Sequence, residues 1–185
     1  MLALIGGKFK GRRLKTPKSA NTRPTTSMTR KAVFDICQSI IEDARFLDLF
    51  AGTGAMGLEA ISRGAAHATF LESDKDALNC LNENIALLNI QNETTVYKGN
   101  SLLLMKRLKD SFTIIYIDPP YGKVPLSEIL HFFDESSTLE PGGALFLEEG
   151  MPSKEKLEIL PLKNILHVNS RRFGRSLLHQ YIKKP

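Results

Sequence analysis

Strands and helices alternate along the middle of this 185-residue chain, which predicts an α/β fold built on a mostly parallel, doubly wound sheet. Two observations carry the prediction. Apolar runs of strand length at 45–50, 67–72, 94–97 and 112–117 are each followed by a helical stretch, and a fifth run, 144–147, follows Pro141-Gly-Gly. The run 112–117 also lacks polar alternation, as a central strand buried on both faces requires.

Each element has a local reason. After strand 45–50 the chain passes a glycine turn into a helix at 57–62. Asp74 is a predicted N-cap for a helix reaching Asn89, with Ala77, Leu78, Leu81, Ile85 and Leu88 as its apolar face. A helix at 102–108 with a basic outer side follows strand 94–97, and Pro125 starts another that runs to 133. At the N-terminus, 2–5 and 12–15 predict a basic hairpin around Gly6-Gly7. Residues 16–27 read as an irregular linker, and 29–41 as a helix with Val33, Phe34, Cys37 and Ile40 inward. Residues 164–170 and 176–183 predict two antiparallel strands turning through 171–175. The division expected is a basic hairpin and linker, 1–28, ahead of one domain, 29–185.

Composition narrows the function classes. The chain is 42% hydrophobic and 24% charged, which excludes a mostly disordered protein. No run approaches the roughly 18 apolar residues of a membrane span, and residues 1–5 are too short for a signal core. Cys37 and Cys80 stand in no metal or disulfide spacing, so a reducing cytoplasm is expected. No patch announces an oligomer, so a monomer is expected. Residues 1–31 carry nine Lys or Arg and no acid; 32–158 carry ten against twenty acids; 159–185 carry six against none. Basic ends around an acidic middle suit a phosphate-bearing partner.

Two motifs carry chemistry. Asp48-Leu-Phe-Ala-Gly52-Thr53-Gly54-Ala-Met-Gly57 lies where open α/β sheets bind ligands, at the C-terminal end of the first strand of the parallel sheet. Gly52 and Gly54 permit close backbone approach. Glu72 ends the next strand, where a carboxylate can accept hydrogen bonds from ribose hydroxyls. A nucleoside cofactor follows, with NAD as one reading. Asp48 favours S-adenosylmethionine, because it can meet the methionine ammonium group, and the loop resembles motif I of class I methyltransferases. The second motif, Asp118-Pro119-Pro120-Tyr121, ends the most apolar strand. It resembles the Asp/Asn-Pro-Pro-Tyr/Phe motif of enzymes that methylate exocyclic amino groups. Such an amine has its lone pair delocalised into the ring. Hydrogen bonds to Asp118 and the Pro119 carbonyl would turn that lone pair toward the methyl carbon, while Tyr121 stacks on an extruded base.

Taken together, Ile5-Gly-Gly-Lys-Phe-Lys-Gly-Arg-Arg-Leu14, Arg23-Pro-Thr-Thr26, Phe46 through Ala60, Ser62-Arg-Gly-Ala65 and Asp118-Pro-Pro-Tyr121 resemble the RsmD family over about residues 4–122. That resemblance implies a Rossmann-like class I methyltransferase with an N-terminal hairpin that grips RNA. It also implies S-adenosylmethionine as cofactor and N2 of a guanine in 16S rRNA as target, in the 30S subunit or an assembly intermediate. It places Gly52, Thr53 and Gly54 around the cofactor, Glu72 on the ribose and Asp118 to Tyr121 on the target amine. Asn100-Ser101 replaces the family's Asp-Ala pair near adenine, and the Asn100 side-chain oxygen is expected to accept from the adenine amino group. Lys8, Lys10, Arg12, Arg13 and Arg23 are the expected RNA contacts, and Arg23 and Thr25 a lid near the methionine end. The segment around Phe173-Gly174 is more basic than the resemblance leads one to expect, which leaves its role open. Glu148 and Glu149 point to opposite faces of a strand and do not form an acid/base pair. His67, His131, His167 and His179 have no metal spacing. An adenine-N6 or cytosine-N4 methyltransferase acting on DNA or RNA, and a catalytically silent RNA-binding assembly module, are the alternative readings.

Overall fold

The computed structural model describes residues 2–17, 27–150 and 161–185. Its elements run α1 (Ser27–Ile36), β1 (Arg45–Leu49), α2 (Ala55–Ser62), β2 (His67–Glu72), α3 (Lys75–Leu88), β3 (Thr94–Lys98), α4 (Ser101–Met105), β4 (Phe112–Ile117), α5 (Leu126–Glu135), β5 (Leu139–Gly150), β6 (Ile165–Phe173) and β7 (Ser176–Lys183). They form a seven-stranded sheet in the order β3-β2-β1-β4-β5-β7-β6. Strands β3 to β5 pair in parallel, and β7 and β6 add to β5 antiparallel. The mostly parallel sheet expected from the alternation is the one observed. The chain winds outward from β1 to β3, then returns to place β4 on the other side of β1. That reversal makes the C-terminal ends of β1 and β4 the switch point, where two loops leave in opposite directions and open a crevice.

Two apolar layers cover the sheet. One face packs Phe46, Phe70, Ile114, Tyr116 and Phe146 under α1 to α3. The other packs Leu47, Leu49, Ile115, Ile117 and Leu147 under α4 and α5. Strand β4, buried over nearly its whole length, contributes to both, as its unbroken apolar run requires. Helix α3 has the expected ends: Asp74 accepts from the Ala77 N–H at 2.8 Å, and Asn89 closes it in the left-handed region at φ 56°.

Several boundaries differ from expectation. The predicted N-terminal hairpin is present as the antiparallel bridge of Ala3 with Arg13, flanked by backbone bonds from Leu4 N–H to the Arg12 carbonyl (3.0 Å), Gly11 N–H to the Leu4 carbonyl (2.9 Å) and Leu14 N–H to the Leu2 carbonyl (2.9 Å). Its backbone also bonds to α2: Ile5 N–H donates to the Glu59 carboxylate (2.8 Å), Lys8 N–H to the Ser62 carbonyl (2.6 Å) and Phe9 N–H to Ser62 Oγ (2.9 Å). Leu2, Leu4 and Leu14 join the core beneath α1. Helix α1 starts two residues early, and its α-helical part ends at Ile36, before a 3₁₀ turn at Cys37–Ser39. Pro141-Gly142-Gly143 lies within β5, where the register to β4 shifts between Phe112 and Ile114. It is a bulge rather than the turn expected. At the other end of the chain, β6 continues through Arg171 and Arg172. The β6–β7 turn is therefore only Gly174-Arg175, with Gly174 at φ 59°.

Candidate functional site

The glycine loop leaves β1 through Phe50, a non-glycine residue at φ 59°, and then Gly52 at φ 55° and Gly54 at φ 79°. Left-handed backbone at a residue with a side chain costs about 1–2 kcal/mol, so the packing around Phe50 must hold this path. The two glycines serve different ends. A Cβ on Gly54 would come within 2.3 Å of Leu81 Cδ1, whereas a Cβ on Gly52 would meet nothing within 4 Å. Gly54 lets the loop press onto α3. Gly52 presents bare backbone to an open side.

Glu72 holds this loop in place. One carboxylate oxygen accepts the Gly52 N–H at 2.7 Å; the other accepts the N–H groups of Ser73 (2.7 Å) and Asp74 (2.8 Å). Asp48 reaches from β1 to the first turn of α2, where it accepts the Gly57 N–H at 3.0 Å. A donor at that helix position needs an outside acceptor, because no intrahelical one exists. Asp48 is buried, and its carboxyl is pushed well above the usual range by desolvation, with the charges of Asp118 and Glu72 adding to the shift. Asp118 and Glu72 are thus near enough to act on Asp48 through their charge, a setting that favours a cation.

Asp118-Pro119-Pro120-Tyr121 leaves β4 beside that loop, with Asp118 N–H directed at the Leu49 carbonyl of β1 (3.4 Å). Asp118 is half-buried, Pro119 buried and Pro120 exposed. Among the described residues the Pro119 carbonyl receives no backbone hydrogen bond, while that of Pro120 accepts Lys123 N–H at 3.2 Å. The Tyr121 ring lies on the backbone of Gly150, where a Cβ would sit 2.3 Å from two ring carbons. Its hydroxyl shares a 2.9 Å hydrogen bond with Ser176 Oγ, and 42% of the residue stays exposed.

Other expected site residues divide. The Thr53 carbonyl accepts from Asn84 Nδ2 at 3.2 Å, and Ser101 Oγ donates to the Leu71 carbonyl at 3.3 Å. Asn100 does not offer its side-chain oxygen freely: as the N-cap of α4 it accepts the N–H groups of Leu102 (3.0 Å) and Leu103 (3.2 Å), which use both lone pairs. The expected adenine contact through that atom would break a cap bond. Lys8 is paired with Glu93 at 3.2 Å, and the tip of the arm packs against the far end of α2. Lys10, Arg12 and Arg13 are exposed on the same arm. Arg23 and Thr25 lie outside the described residues. Glu148 and Glu149 do face opposite ways, one bonded to the Tyr116 hydroxyl and the other to His179 Nε2 at 3.0 Å. Cys37 is fully buried, but Cys80 is only partly so, on the flank of α3 near Lys15 and Glu83. Among the described residues no group of three His, Cys, Asp or Glu side chains is placed to hold a metal ion, and no helix is long and apolar enough to cross a membrane.

Sequence reasoning missed Asn84 and Arg30. Asn84, fully buried, accepts the Lys15 N–H (2.7 Å) and donates to the carbonyls of Lys15 (3.1 Å) and Thr53, tying arm to glycine loop. Arg30, 2% exposed, donates from Nη2 to the Ala3 carbonyl at 2.9 Å and faces Glu59 at 4.0 Å. Both had a signal: each is a polar residue set in its helix's apolar stripe, Arg30 with Val33, Phe34 and Cys37, Asn84 with Leu81, Ile85 and Leu88.

The chain is similar to known proteins over most of its length. The family model described as Conserved hypothetical protein 95 matches residues 2–182. The Ribosomal RNA small subunit methyltransferase D of Escherichia coli (strain K12) is 34% identical over 156 residues, 82% of this chain and 78% of that protein. The protein of that name from Buchnera aphidicola subsp. Acyrthosiphon pisum is 33% identical over 162 residues, 87% and 82% of the two. Among solved structures, yhhF from Escherichia coli has a TM-score of 0.87 at 30% identity, covering 99% of this chain and 98% of that one.

Proposed function

The chain belongs to the Conserved hypothetical protein 95 family, that of the small-subunit rRNA methyltransferases D, and we propose from this that it moves a methyl group from S-adenosylmethionine to N2 of a guanine in 16S rRNA. The residues present fit such a cofactor on their own chemistry. Asp48, Glu72 and Asp118 gather negative charge where a ligand bearing an ammonium and a sulfonium is stabilised, and Gly52 leaves its side of the loop bare. The cofactor supplies a methyl carbon on positively charged sulfur, open to attack by a lone pair. Glu72 would hold the ribose, Gly52 to Gly54 the methionine end together with Asp48, and Ser101 would line the adenine side.

The chain's own part is to make a poor nucleophile attack. Asp118 and the Pro119 carbonyl would accept the two N–H bonds of the exocyclic amine, so that its lone pair points away from the base plane. The prolines fix φ near −65°, so little reorganisation is needed when the base arrives. As the N–C bond forms, the methyl's bond to sulfur breaks, its electron pair staying on sulfur, now a neutral thioether; nitrogen becomes positive, and the Asp118 carboxylate stabilises that charge before the proton leaves to water. Tyr121, held on Gly150 and Ser176, would stack on the extruded base, worth about 1–3 kcal/mol. The N2 target rests on the family; the tetrapeptide alone suits adenine N6 or cytosine N4 equally.

One observation carries the reading: the Asp118 motif and the glycine loop meet at the switch point, joined by the bond from Asp118 N–H to Leu49. The test supplies the protein with labelled S-adenosylmethionine and, separately, 30S particles, naked 16S rRNA and DNA. Label in N2-methylguanine of 16S rRNA is expected; label only in DNA, or none, overturns it. Asp118→Ala is expected to lose about 10²–10³ in kcat while keeping RNA affinity. We take the enzyme to act as a monomer in the bacterial cytoplasm, where 30S subunits are assembled.

A further inference from the structure

The basic C-terminal stretch lies beside the site because of strand register. Parallel strands β1 and β4 end at the switch-point edge, and so does β5, at Gly150. Gly150 pairs with Ser176 and Ser176 with Phe173, so the antiparallel β6–β7 hairpin turns at that same edge. Ser176 then touches Tyr121 directly (2.9 Å). Arg171, Arg172 and Arg175, all exposed, surround this turn. Alternation along β6 puts Arg171 on the face of Ser176, and Gly174 accepts from Arg172 Nε at 3.1 Å.

The N-terminal arm is placed differently. Its Lys8 is bonded to Ser62, the last residue of α2, and paired with Glu93, just before β3 begins. Both landmarks belong to the opposite edge of the parallel sheet. Eight helical residues separate that end of α2 from the glycine loop, about 12 Å at 1.5 Å per residue. Lys8 and Lys15 of the arm each sit against a glutamate; among the described residues Lys10, Arg12 and Arg13 on the arm enter no ion pair, and neither do Arg171, Arg172 and Arg175 at the turn. Three like charges within five residues repel one another, and a bound polyanion would offset that repulsion.

We propose that the β6–β7 turn grips the phosphates flanking the nucleotide presented to Tyr121, with Arg171 and Arg175 as the main contacts. This rests on the RNA methylation reading above. The N-terminal arm then holds more distant RNA, so the two basic ends do separate work. Backbone contacts of this kind set position and not base identity.

The probe is an unmethylated 16S rRNA transcript, with R171Q/R175Q compared against wild type and R171K/R175K. At about 0.1 M salt the glutamine pair is expected to raise Kd for the transcript about tenfold and to flatten the slope of log K against log salt by about 1.5, two lost contacts at roughly 0.7–0.9 each. The lysine pair keeps most of the slope, because charge survives. An S-adenosylmethionine Kd equal to wild type shows that the variants are folded. If wild type methylates the transcript and R171Q/R175Q matches it in Kd and slope within twofold, the turn is no phosphate clamp, and the methyltransferase reading stands. If wild type methylates neither transcript nor 30S particle, both fall.

Discussion

Replacing Glu72 by glutamine separates the loop-holding task of its carboxylate from the ribose-binding task proposed for it. The residue is 8% exposed and accepts three backbone N–H groups at 2.7, 2.7 and 2.8 Å. Each such bond to a charged acceptor is worth about 1.5–3 kcal/mol. In Glu72→Gln the amide oxygen can keep the Ser73 and Asp74 pair, weakened by loss of charge. The amide nitrogen then faces the Gly52 N–H, donor against donor. Losing one charge-assisted bond and weakening two predicts a loss of about 2–4 kcal/mol in urea unfolding, within the roughly 5–15 kcal/mol a domain has. If Glu72 holds the ribose as proposed, the same change also removes that acceptor, and it frees Gly52 to move. Calorimetric titration is expected to show the S-adenosylmethionine Kd raised about ten- to hundredfold, about 1.4–2.7 kcal/mol. Stability within 0.5 kcal/mol of wild type would refute the three-bond clamp (~0.5 is the usual surface-mutation scatter). Lost stability with unchanged affinity would leave Glu72 a structural residue and move the ribose contact elsewhere.

Other expected outcomes follow from the same geometry. Because burial raises the Asp48 carboxyl, its ionised form is disfavoured in the folded state, so it costs stability increasingly as pH rises through its folded pKa, and nothing below the unfolded value of 3.8. Asp48→Asn, still able to accept from Gly57, should therefore raise Tm at pH 7, lose that advantage in acid and bind S-adenosylmethionine more weakly; a lower Tm at pH 7 would contradict this. Ser176→Ala should reduce kcat/KM severalfold by releasing the Tyr121 ring, yet add nothing in a Tyr121→Phe background, a coupling of about 0.5–1.5 kcal/mol readable from the four-variant cycle. Burial pushes the Cys37 thiol up to about 12, so a thiol reagent should modify Cys80 first in native protein and Cys37 only on unfolding, counted by mass spectrometry.

What could be read from residues alone was whatever short segments decide. The βα alternation, the Asp74 cap, the double burial of β4 and the meeting of the glycine loop with Asp118 all follow from spacings of a few residues and from the rule that ligands bind at switch points. The departures arise where a distant partner takes the bond. Arm residues 2–15 do form the hairpin their sequence suggests, but nothing local shows that Glu59 and Ser62 take the N–H groups of Ile5, Lys8 and Phe9. Asn100 looks like an adenine acceptor until α4 uses its oxygen as a cap. Arg30 and Asn84 are visible only as polar flaws in apolar stripes, and their partners lie far along the chain, 27 residues from Arg30 and 31 and 69 from Asn84.

The C-terminal arginines show the same limit from the other side. Their charge is plain in the sequence, but nothing local connects residue 175 to residue 121. The link is made by β7 adding antiparallel to β5 at a register that sets Ser176 against Gly150. A shift of one residue would turn Ser176 to the opposite face of the sheet and remove the partner of the Tyr121 hydroxyl. Gly150 is bound into the same constraint, since any side chain there would collide with the tyrosine ring. The surface proposed for stacking is therefore assembled from three segments, the Asp118 motif, the end of β5 and the start of β7. Its orientation depends on the antiparallel extension of the sheet as much as on the tetrapeptide itself, which gives β6 and β7 a task beyond closing the edge.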